Sequence, residues 1–247
     1  MAKHIAIAGK GGTGKTTVAS FVVRYLVEAG KGSILAVDAD PNSNLNEALG
    51  VKVDNTISSV LVDIKKNKVP TGMSKDIYME MMLHKALVET EKFDLLVMGG
   101  PQGPGCYCYP NELLKREMEV MDKNYDYMVI DNEAGMEHIS RQTIENVDVM
   151  LVISDPTAKG VRSAARIFDL AKSLNIKVGK AYLIVTKTDD PEPLKEEIKA
   201  TGLEFLGVIP YDSLVAEYDL QGKPLIQLPE ESVAWSAARK LFEKLPL

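Results

Sequence analysis

Cysteine is almost absent from this chain of 247 residues, which has two, and histidine and tryptophan are nearly as scarce, with three and one. Two cysteines cannot build the disulfide framework of a small secreted domain, so we expect a reducing compartment, the cytoplasm. Aromatic residues make up 6% of the chain. The core must therefore be filled mainly by aliphatic side chains.

Long apolar runs and an excess of positive charge are also missing. No apolar stretch approaches the roughly 18 residues of a membrane-spanning helix, and the short one at the N-terminus does not resemble a signal peptide. The 29 basic and 35 acidic residues leave a net charge of −6, without long runs of one sign. We therefore expect a protein that binds neither nucleic acid nor membranes.

A glycine-rich motif dominates what the sequence does contain. Residues 9–17 read GKGGTGKTT and fit the phosphate-binding pattern GxxxxGK(S/T). An apolar run at 4–8 precedes the motif, and apolar residues at helical spacing over 18–29 follow it. In this strand–loop–helix order, glycines let backbone N–H groups converge on an anion at the positive end of a helix. The candidate nucleotide-binding residues are Gly9, Lys10, Gly11, Gly12, Thr13, Gly14, Lys15, Thr16 and Thr17.

The two lysines of this loop are expected to differ in role. Lys15 is predicted to reach the β- and γ-phosphates, and the Thr16 hydroxyl to ligate Mg²⁺. Lys10 is not required by an ordinary phosphate loop, and a solvated surface lysine is the simple interpretation. The loop, however, resembles the deviant phosphate loop of the MinD/ParA/nitrogenase-iron-protein class of ATPases. That resemblance implies that Lys10 crosses a dimer interface and neutralises charge on the partner's nucleotide during phosphoryl transfer, as an arginine finger does.

Acidic residues stand at the ends of two predicted strands. The strand at 33–37 runs into Asp38-Ala39-Asp40-Pro41, and the strand at 125–131 ends in Asp131. Ligands of α/β proteins bind at such strand ends. The resemblance implies that Asp40 positions or activates the attacking water, that Asp38 supports the magnesium site, and that Asp131 holds Mg²⁺ through water. Lys10, Lys15 and Asp40 are thus the catalytic candidates.

Two later segments are expected to enclose the base. Thr186 and Lys187 follow a predicted strand at 181–185, where the class usually has an asparagine at 186 that reads adenine. Pro210 and Tyr211 follow the last predicted strand, and the resemblance makes them neighbours of adenine. Because this chain has threonine at 186, no side chain that reads adenine is identified. The prediction that the site prefers ATP to GTP therefore depends on the resemblance alone.

Both cysteines lie in an unusual loop, GGPQGPGCYCYPN, at residues 99–111. Its glycines and prolines exclude regular structure. Cys106 and Cys108 offer two thiolates, half of a tetrahedral site, so two copies meeting at a two-fold axis would complete a shared site. Zn²⁺, Cu(I), an iron–sulfur cluster or Ni²⁺ would suit such ligands. Two structural cysteines, or a strained disulfide between near neighbours, are the alternatives.

The CxC loop also carries a more specific resemblance. Together with DADPN at 38–42, DNEAGMEH at 131–138 and DPTAKG at 155–160, it resembles the nickel-insertion accessory ATPases of carbon monoxide dehydrogenase (CooC type) and the related accessory protein of acetyl-CoA synthase. The resemblance implies a homodimer promoted by ATP and metal, with ATP/ADP, Mg²⁺ and Ni²⁺ or Zn²⁺ bound, and a client nickel enzyme. A MinD-like ATPase with a bridging iron–sulfur cluster is the first alternative. The second is a positioning ATPase that polymerises on DNA or membranes.

Strands and helices alternate along the chain, which predicts an α/β fold with a single doubly wound, mostly parallel sheet and helices on both faces. We expect one domain over residues 1–247. Further strands are predicted at 93–98, 148–153 and 206–209, and helices at 158–174 and 233–245. Residues 43–92 are predicted to be helical, with Thr56 and Asp76 as N-terminal caps.

Overall fold

Eight strands form a single sheet in the computed structural model, which describes residues 1–66, 69–100, 108–134 and 146–247. The strands are β1 (Lys3–Gly9), β2 (Ile34–Asp38), β3 (Leu87–Glu89), β4 (Asp94–Val97), β5 (Tyr127–Asp131), β6 (Asn146–Ser154), β7 (Lys177–Thr186) and β8 (Glu204–Ile209). Their order across the sheet is β3-β4-β2-β5-β1-β6-β7-β8. All neighbours are parallel except β3 and β4.

Helices cover both faces of this sheet. One face carries α1 (Lys15–Glu28), α2 (Leu45–Leu49), α8 (Ser213–Leu220) and α9 (Val233–Phe242); the other carries α3 (Ile57–Lys66), α4 (Lys75–His84), α5 (Cys108–Met121), α6 (Ala158–Ser173) and α7 (Lys195–Ala200). A hydrophobic core lies on each face of the sheet, and β1 contributes to both. Ile5 and Ile7 face one core, and Ala6 and Ala8 face the other. The predicted doubly wound fold is confirmed. No helix in the described residues is long and apolar enough to cross a bilayer.

The prediction that residues 43–92 are helical was wrong for the last part of that range. Strand β3 lies there, antiparallel to β4, and pairs Leu87 with Leu96 and Val88 with Leu95. The turn between the two strands is closed by the Thr90 hydroxyl, which donates to the Phe93 carbonyl. A three-residue edge strand is too short to show the alternation by which strands are recognised in a sequence.

One of the two predicted helix caps is also wrong. Thr56 does cap α3, because its hydroxyl oxygen accepts a hydrogen bond from the Ser59 amide at 3.1 Å. Helix α4 instead begins after Ser74, whose side chain accepts from the Ile77 amide at 3.2 Å. Asp76 lies inside that helix. Serine and aspartate are both favoured N-terminal caps, so the sequence alone could not decide whether Ser74 or Asp76 caps α4.

The register of the central strands brings distant residues of the sequence together. Because the strands are parallel, their carboxyl ends share one edge of the sheet. Asp38 at the end of β2 lies opposite Asp131 at the end of β5, and Gly9 at the end of β1 lies opposite Ile153 of β6. The phosphate loop and the predicted acidic residues therefore meet at this edge.

Candidate functional site: a nucleotide cavity at the carboxyl edge of the sheet

A cavity of about 570 Å³ opens at this edge, within the size range of small-molecule sites. The phosphate loop and the start of α1 form one wall, and the β8–α8 connection forms the other. The predicted nucleotide-binding residues that line it are Gly11, Gly12, Gly14, Lys15, Thr16, Thr17, Asp40, Thr186, Lys187, Pro210 and Tyr211. Gly9, Thr13, Asp38 and Asp131 are buried behind this lining.

Backbone geometry explains the glycines of the phosphate loop. Gly12 has φ +78° and Gly14 φ +88°, conformations that side chains with a Cβ rarely adopt. Between them, the buried Thr13 folds back on the loop, because its amide and its hydroxyl both bind the Lys10 carbonyl, at 3.4 and 2.8 Å. Helix α1 then begins at Lys15, so the loop delivers its free amides and the helix terminus to the cavity.

Gly9 is needed for a different reason, which gives a testable prediction. A Cβ at Gly9 would lie 2.5 Å from the Ile153 carbonyl oxygen, whereas among the described residues a Cβ at Gly11 would meet nothing closer than Ala134 at 3.6 Å. Gly9→Ala should therefore destabilise the nucleotide-free protein by about 3 kcal/mol or more, since backbone must move. Gly11→Ala is the matched control and should change unfolding by less than about 1 kcal/mol. Urea unfolding of both variants compares them; equal stabilities would contradict the steric argument.

Thr186 and Lys187, predicted to lie near the base, line the cavity and contact the phosphate loop. The Thr186 hydroxyl is 2.8 Å from the Thr13 carbonyl and 3.1 Å from the Ser154 carbonyl, and Lys187 donates from its ammonium to the Gly12 carbonyl at 2.9 Å. Lys187 adopts φ +61°, which turns the chain sharply after β7. The hydroxyl at 186 is thus directed at the loop, in agreement with the loss of the asparagine that would read a base.

Two buried carboxyl groups lie beneath the loop. The Thr16 hydroxyl donates to Asp131 Oδ2 at 2.6 Å. Burial raises the pKa of Asp131 to about 6 despite the Thr16 hydrogen bond and the nearby Lys15, and burial together with the charge of Asp131 raises the pKa of Asp38 to about 7. Two neighbouring anions in a site closed to water are destabilising, so this site favours a bound cation or a proton.

The donor set fits a magnesium ion. Asp131 Oδ1 is buried and has no hydrogen-bond partner in the described residues, and such an acceptor is costly unless a ligand satisfies it. Carboxylate and hydroxyl oxygens are the ligands Mg²⁺ prefers. The oxygens of Asp38 are already engaged, since they accept from the amides of Asp40 at 3.1 Å and Leu45 at 2.9 Å. Asp38 therefore shapes the loop that carries Asp40.

Asp40 is placed differently from these two carboxyl groups. It is partly exposed and lines the cavity. One oxygen, Oδ1, accepts from the amide and the side chain of Asn42, at 2.8 and 2.9 Å. Its other oxygen makes no hydrogen bond within the described part of the chain. Asp40 can therefore accept a proton or a hydrogen bond from a water molecule in the cavity.

Lys10 stands outside the cavity that Lys15 lines. Lys15 is 8% exposed, whereas Lys10 is exposed and does not line its own nucleotide cavity. Within the described residues, Lys10 is held through its backbone carbonyl, which accepts from the hydroxyl and the amide of Thr13.

The far end of the cavity is formed by a helix that sequence reasoning missed. Helix α8 contributes Val215, Ala216 and Asp219, next to Pro210 and to Tyr211, which is 64% exposed. The missed signal was the aspartate that precedes α8, since aspartate is a favoured helix cap.

That aspartate, Asp212, ties α8 to α9. It accepts from the Leu214 amide at 2.9 Å, from the Ser232 hydroxyl at 2.6 Å and from the Ala234 amide at 3.0 Å. Burial alone would raise the pKa of Asp212, but the hydrogen bonds from Ser232 and the backbone amides outweigh it and lower the pKa. The ionised carboxylate thus fixes the start of both helices beside the cavity.

The predicted metal ligands lie largely beyond the described residues. Cys106 falls outside them, and Cys108 is the first residue of α5, with only its backbone described. The prediction of a loop over 99–111 was therefore wrong for residues 108–111, which are helical. No group of three or more metal-ligating side chains occurs within the described ranges. The start of the cysteine loop is described, however. A Cβ at Gly100 would lie 3.3 Å from the Pro41 carbonyl, so the loop leaves the sheet directly beside Asp40.

Comparison with known proteins agrees with this geometry. The sequence profile described as the CobQ/CobB/MinD/ParA nucleotide binding domain matches residues 4–225. MJ0685, an uncharacterized ATP-binding protein of Methanocaldococcus jannaschii, is 42% identical over 98% of this chain and 97% of its own length. The carbon monoxide dehydrogenase accessory protein CooC of Rhodospirillum rubrum is 32% identical over 88% of this chain and 87% of its own length.

A solved structure supports the fold independently. The septum site-determining protein MinD of Pyrococcus horikoshii, complexed with Mg-ADP, superposes with a TM-score of 0.71 over 98% of this chain and 95% of that one. Its sequence identity is 24%, so the similarity bears on the fold alone.

Proposed function

Because the chain belongs to the CobQ/CobB/MinD/ParA family of nucleotide-binding domains, we propose that it is an ATP-hydrolysing dimer that carries Ni²⁺ or Zn²⁺ to a nickel enzyme. The observation that carries the ATPase part is the separation of the two lysines, with Lys15 lining the nucleotide cavity and Lys10 exposed outside it. The metal part rests on Cys106 and Cys108 and on the similarity to CooC. Carbon monoxide dehydrogenase as the client comes from that similarity, and acetyl-CoA synthase as the alternative client comes from the resemblance of the CxC loop.

Several residues at this cavity have a task in ATP hydrolysis. The loop amides and Lys15 bind the phosphates, and Thr16 with Asp131 would hold Mg²⁺, which neutralises charge on the phosphate oxygens. Asp40 accepts a hydrogen bond from the attacking water and orients it. Asp38 keeps Asp40 in place through the Asp40 amide.

Dimerisation would link the nucleotide to the cysteines. Lys10 of one subunit contacts the nucleotide of the other, so two subunits close face to face while the γ-phosphate is present. At the start of the cysteine loop, a Cβ at Gly100 would lie 3.3 Å from the carbonyl oxygen of Pro41, the residue that follows the Asp38–Asp40 segment. A movement of that segment after hydrolysis would therefore reach the loop. Four thiolates, Cys106 and Cys108 from each subunit, would hold one ion while the dimer is closed.

The metal proposal is tested by counting bound ions. Wild-type dimer with a non-hydrolysable ATP analogue should bind one Ni²⁺ or Zn²⁺ per two subunits, and the double variant Cys106→Ala/Cys108→Ala should bind none. ATP hydrolysis should persist in the variant, because neither cysteine lies in the phosphate machinery. Equilibrium dialysis with elemental analysis gives the stoichiometry, and light scattering gives the subunit number.

Controls separate this site from chance binding and from the alternative cofactor. His84 is exposed on α4, so His84→Ala removes a surface ligand and should leave the stoichiometry unchanged. Unchanged metal binding in the cysteine double variant would end the carrier proposal while leaving the ATPase intact. A brown sample after anaerobic purification would instead support a bridging iron–sulfur cluster.

A further inference from the structure

The loop between β2 and α2 holds Asp40 at the cavity by its main chain. The Asp40 amide donates to Asp38 Oδ1 at 3.1 Å. The Asp40 carbonyl accepts from the amide of Ser43 at 3.0 Å and from its hydroxyl at 3.2 Å. Ser43 adopts φ +51°, so the chain turns sharply after Asp40. These contacts fix the backbone of Asp40 from both sides, but they do not fix the rotation of its carboxylate.

Asn42 restrains the carboxylate itself. Its backbone amide and its side-chain nitrogen Nδ2 both donate to Asp40 Oδ1, at 2.8 and 2.9 Å. A carboxylate oxygen only accepts hydrogen bonds, so the NH₂ group of the Asn42 amide must face it. The torsion that orients a carboxylate has a broad energy minimum, and two donors on one oxygen restrict it. Both side chains line the nucleotide cavity.

The two bonds from Asn42 differ in what they require of the sequence. The bond from the backbone amide forms the ordinary turn that follows an aspartate, and any residue except proline could make it. The bond from Nδ2 requires a side-chain donor at position 42. Asn42 is exposed, and a single hydrogen bond in contact with water contributes only modestly to stability. The stability of the loop therefore does not by itself explain the asparagine.

The amide of Asn42 suits a carboxylate that must stay available to water. Because the amide carries no charge, it orients the Asp40 carboxylate without the ion pair that lysine or arginine would form there. Oδ1 is engaged by Asn42, whereas Oδ2 makes no hydrogen bond within the described part of the chain. Oδ2 is thus the oxygen that is left to accept from a water molecule in the cavity.

We infer that the Asn42 side chain is a positioning residue for ATP hydrolysis, which holds Oδ1 of Asp40 so that Oδ2 meets the attacking water. A misplacement of about 1 Å can lower the rate of a chemical step about a hundredfold. Asn42 acts through Asp40 and not on the phosphates, so its loss should lower kcat and leave nucleotide binding intact. The inference rests on the ATPase activity of the proposed function and is independent of metal delivery.

The test replaces Asn42 by alanine, glutamine and aspartate in the full chain and measures kcat from phosphate release. Asn42→Ala keeps the backbone bond but loses the Nδ2 donor, so kcat should fall about tenfold or more. Asn42→Gln keeps an NH₂ donor and should lose less. Asn42→Asp keeps the size but puts a second carboxylate next to Oδ1, and it should lose most. The affinity of Asn42→Ala and Asn42→Gln for a non-hydrolysable ATP analogue, measured by calorimetry, should stay within about threefold of wild type.

Asn46→Ala is the matched control, because Asn46 is partly exposed on α2 and does not line the nucleotide cavity. Its kcat should stay within about twofold of wild type. An unchanged kcat in Asn42→Ala would overturn the inference. Equal losses in the glutamine and aspartate variants would also overturn it, because the donor would then not matter, and this comparison decides even if the alanine variant does not fold.

Two further outcomes separate the inference from a structural role and from the proposed function. A parallel loss of kcat and of analogue affinity in Asn42→Ala would overturn the inference, since the whole loop would then be displaced. Failure of the wild-type protein to hydrolyse ATP would instead contradict the proposed ATPase.

Discussion

Replacement of Lys10 by alanine should lower the rate of ATP hydrolysis by about a thousandfold or more and leave ATP affinity within about threefold. The reason is its position: the Lys10 side chain is exposed and does not line the cavity of its own subunit, whereas Lys15 does. Lys15→Ala should therefore lose ATP binding itself, which makes it the matched comparison. Steady-state phosphate release and calorimetry measure the two effects separately.

A mixing experiment then asks which subunit the lysine serves. Lys10→Ala and Asp40→Ala should each be inactive alone. In a mixed dimer, the Lys10→Ala subunit keeps its own Asp40 and receives Lys10 from the Asp40→Ala subunit, so one of two sites is complete. Random pairing should restore about a quarter of wild-type activity. If mixing restores nothing although mixed dimers form, the lysine acts within its own subunit or not at all.

The second large effect is that of replacing Asp131 by asparagine, which should make the protein more stable and less active. Asp131→Asn should raise the free energy of unfolding of the nucleotide-free protein by about 1–3 kcal/mol near pH 8. The amide carries no charge, while its oxygen can still accept from the Thr16 hydroxyl. The same variant should lose Mg²⁺-dependent hydrolysis by about a hundredfold or more, because the carboxylate that would hold the ion is gone.

The raised pKa values of Asp131 and Asp38 determine how the stability of the wild-type protein changes with pH. The pKa of Asp131 is about 6 and that of Asp38 about 7, above the ordinary value of 3.8, because both are buried. The native state therefore holds more protons than the unfolded state between about pH 4 and 7, and stability from these groups falls as pH rises through that window.

The stabilisation by Asp131→Asn should thus shrink towards zero near about pH 4, where the wild-type carboxyl group is protonated. Urea unfolding across this range measures it. Asp169→Asn is the control, since Asp169 is exposed on α6, with its side chain 71% accessible, and it should change stability by less than about 0.5 kcal/mol at every pH. A destabilised Asp131→Asn near pH 8 would contradict the cause assigned to the raised pKa.

The features that could be predicted from the sequence are those determined by residues close together in the chain. The phosphate loop and its flanking strand and helix follow from glycines and short-range periodicity, and the acidic strand ends follow from the rule that ligands bind at carboxyl edges. The confirmed parallel sheet followed from the alternation of elements. The short strand β3 could not be predicted, because its only signal is the neighbour it pairs with, β4.

Side-chain roles were less accessible from the sequence. Thr186 and Lys187, predicted to enclose the base, line the cavity, and their side chains also contact the Thr13 and Gly12 carbonyls of the phosphate loop. Asp38 was predicted to support the magnesium site, which stays a prediction; its oxygens accept from the amides of Asp40 and Leu45. These contacts depend on where residues far away in the chain place their backbone, which no local pattern encodes. The CxC assignment stays a prediction.

Helix α8 has no buried residue of its own and is held at its first turn by Asp212. The inner side of this helix faces a void large enough for a purine and its sugar. A bound nucleotide would therefore provide the packing partner that α8 lacks. In the nucleotide-free protein α8 should be the first element to unfold, and a bound nucleotide should stabilise it against the rest of the domain.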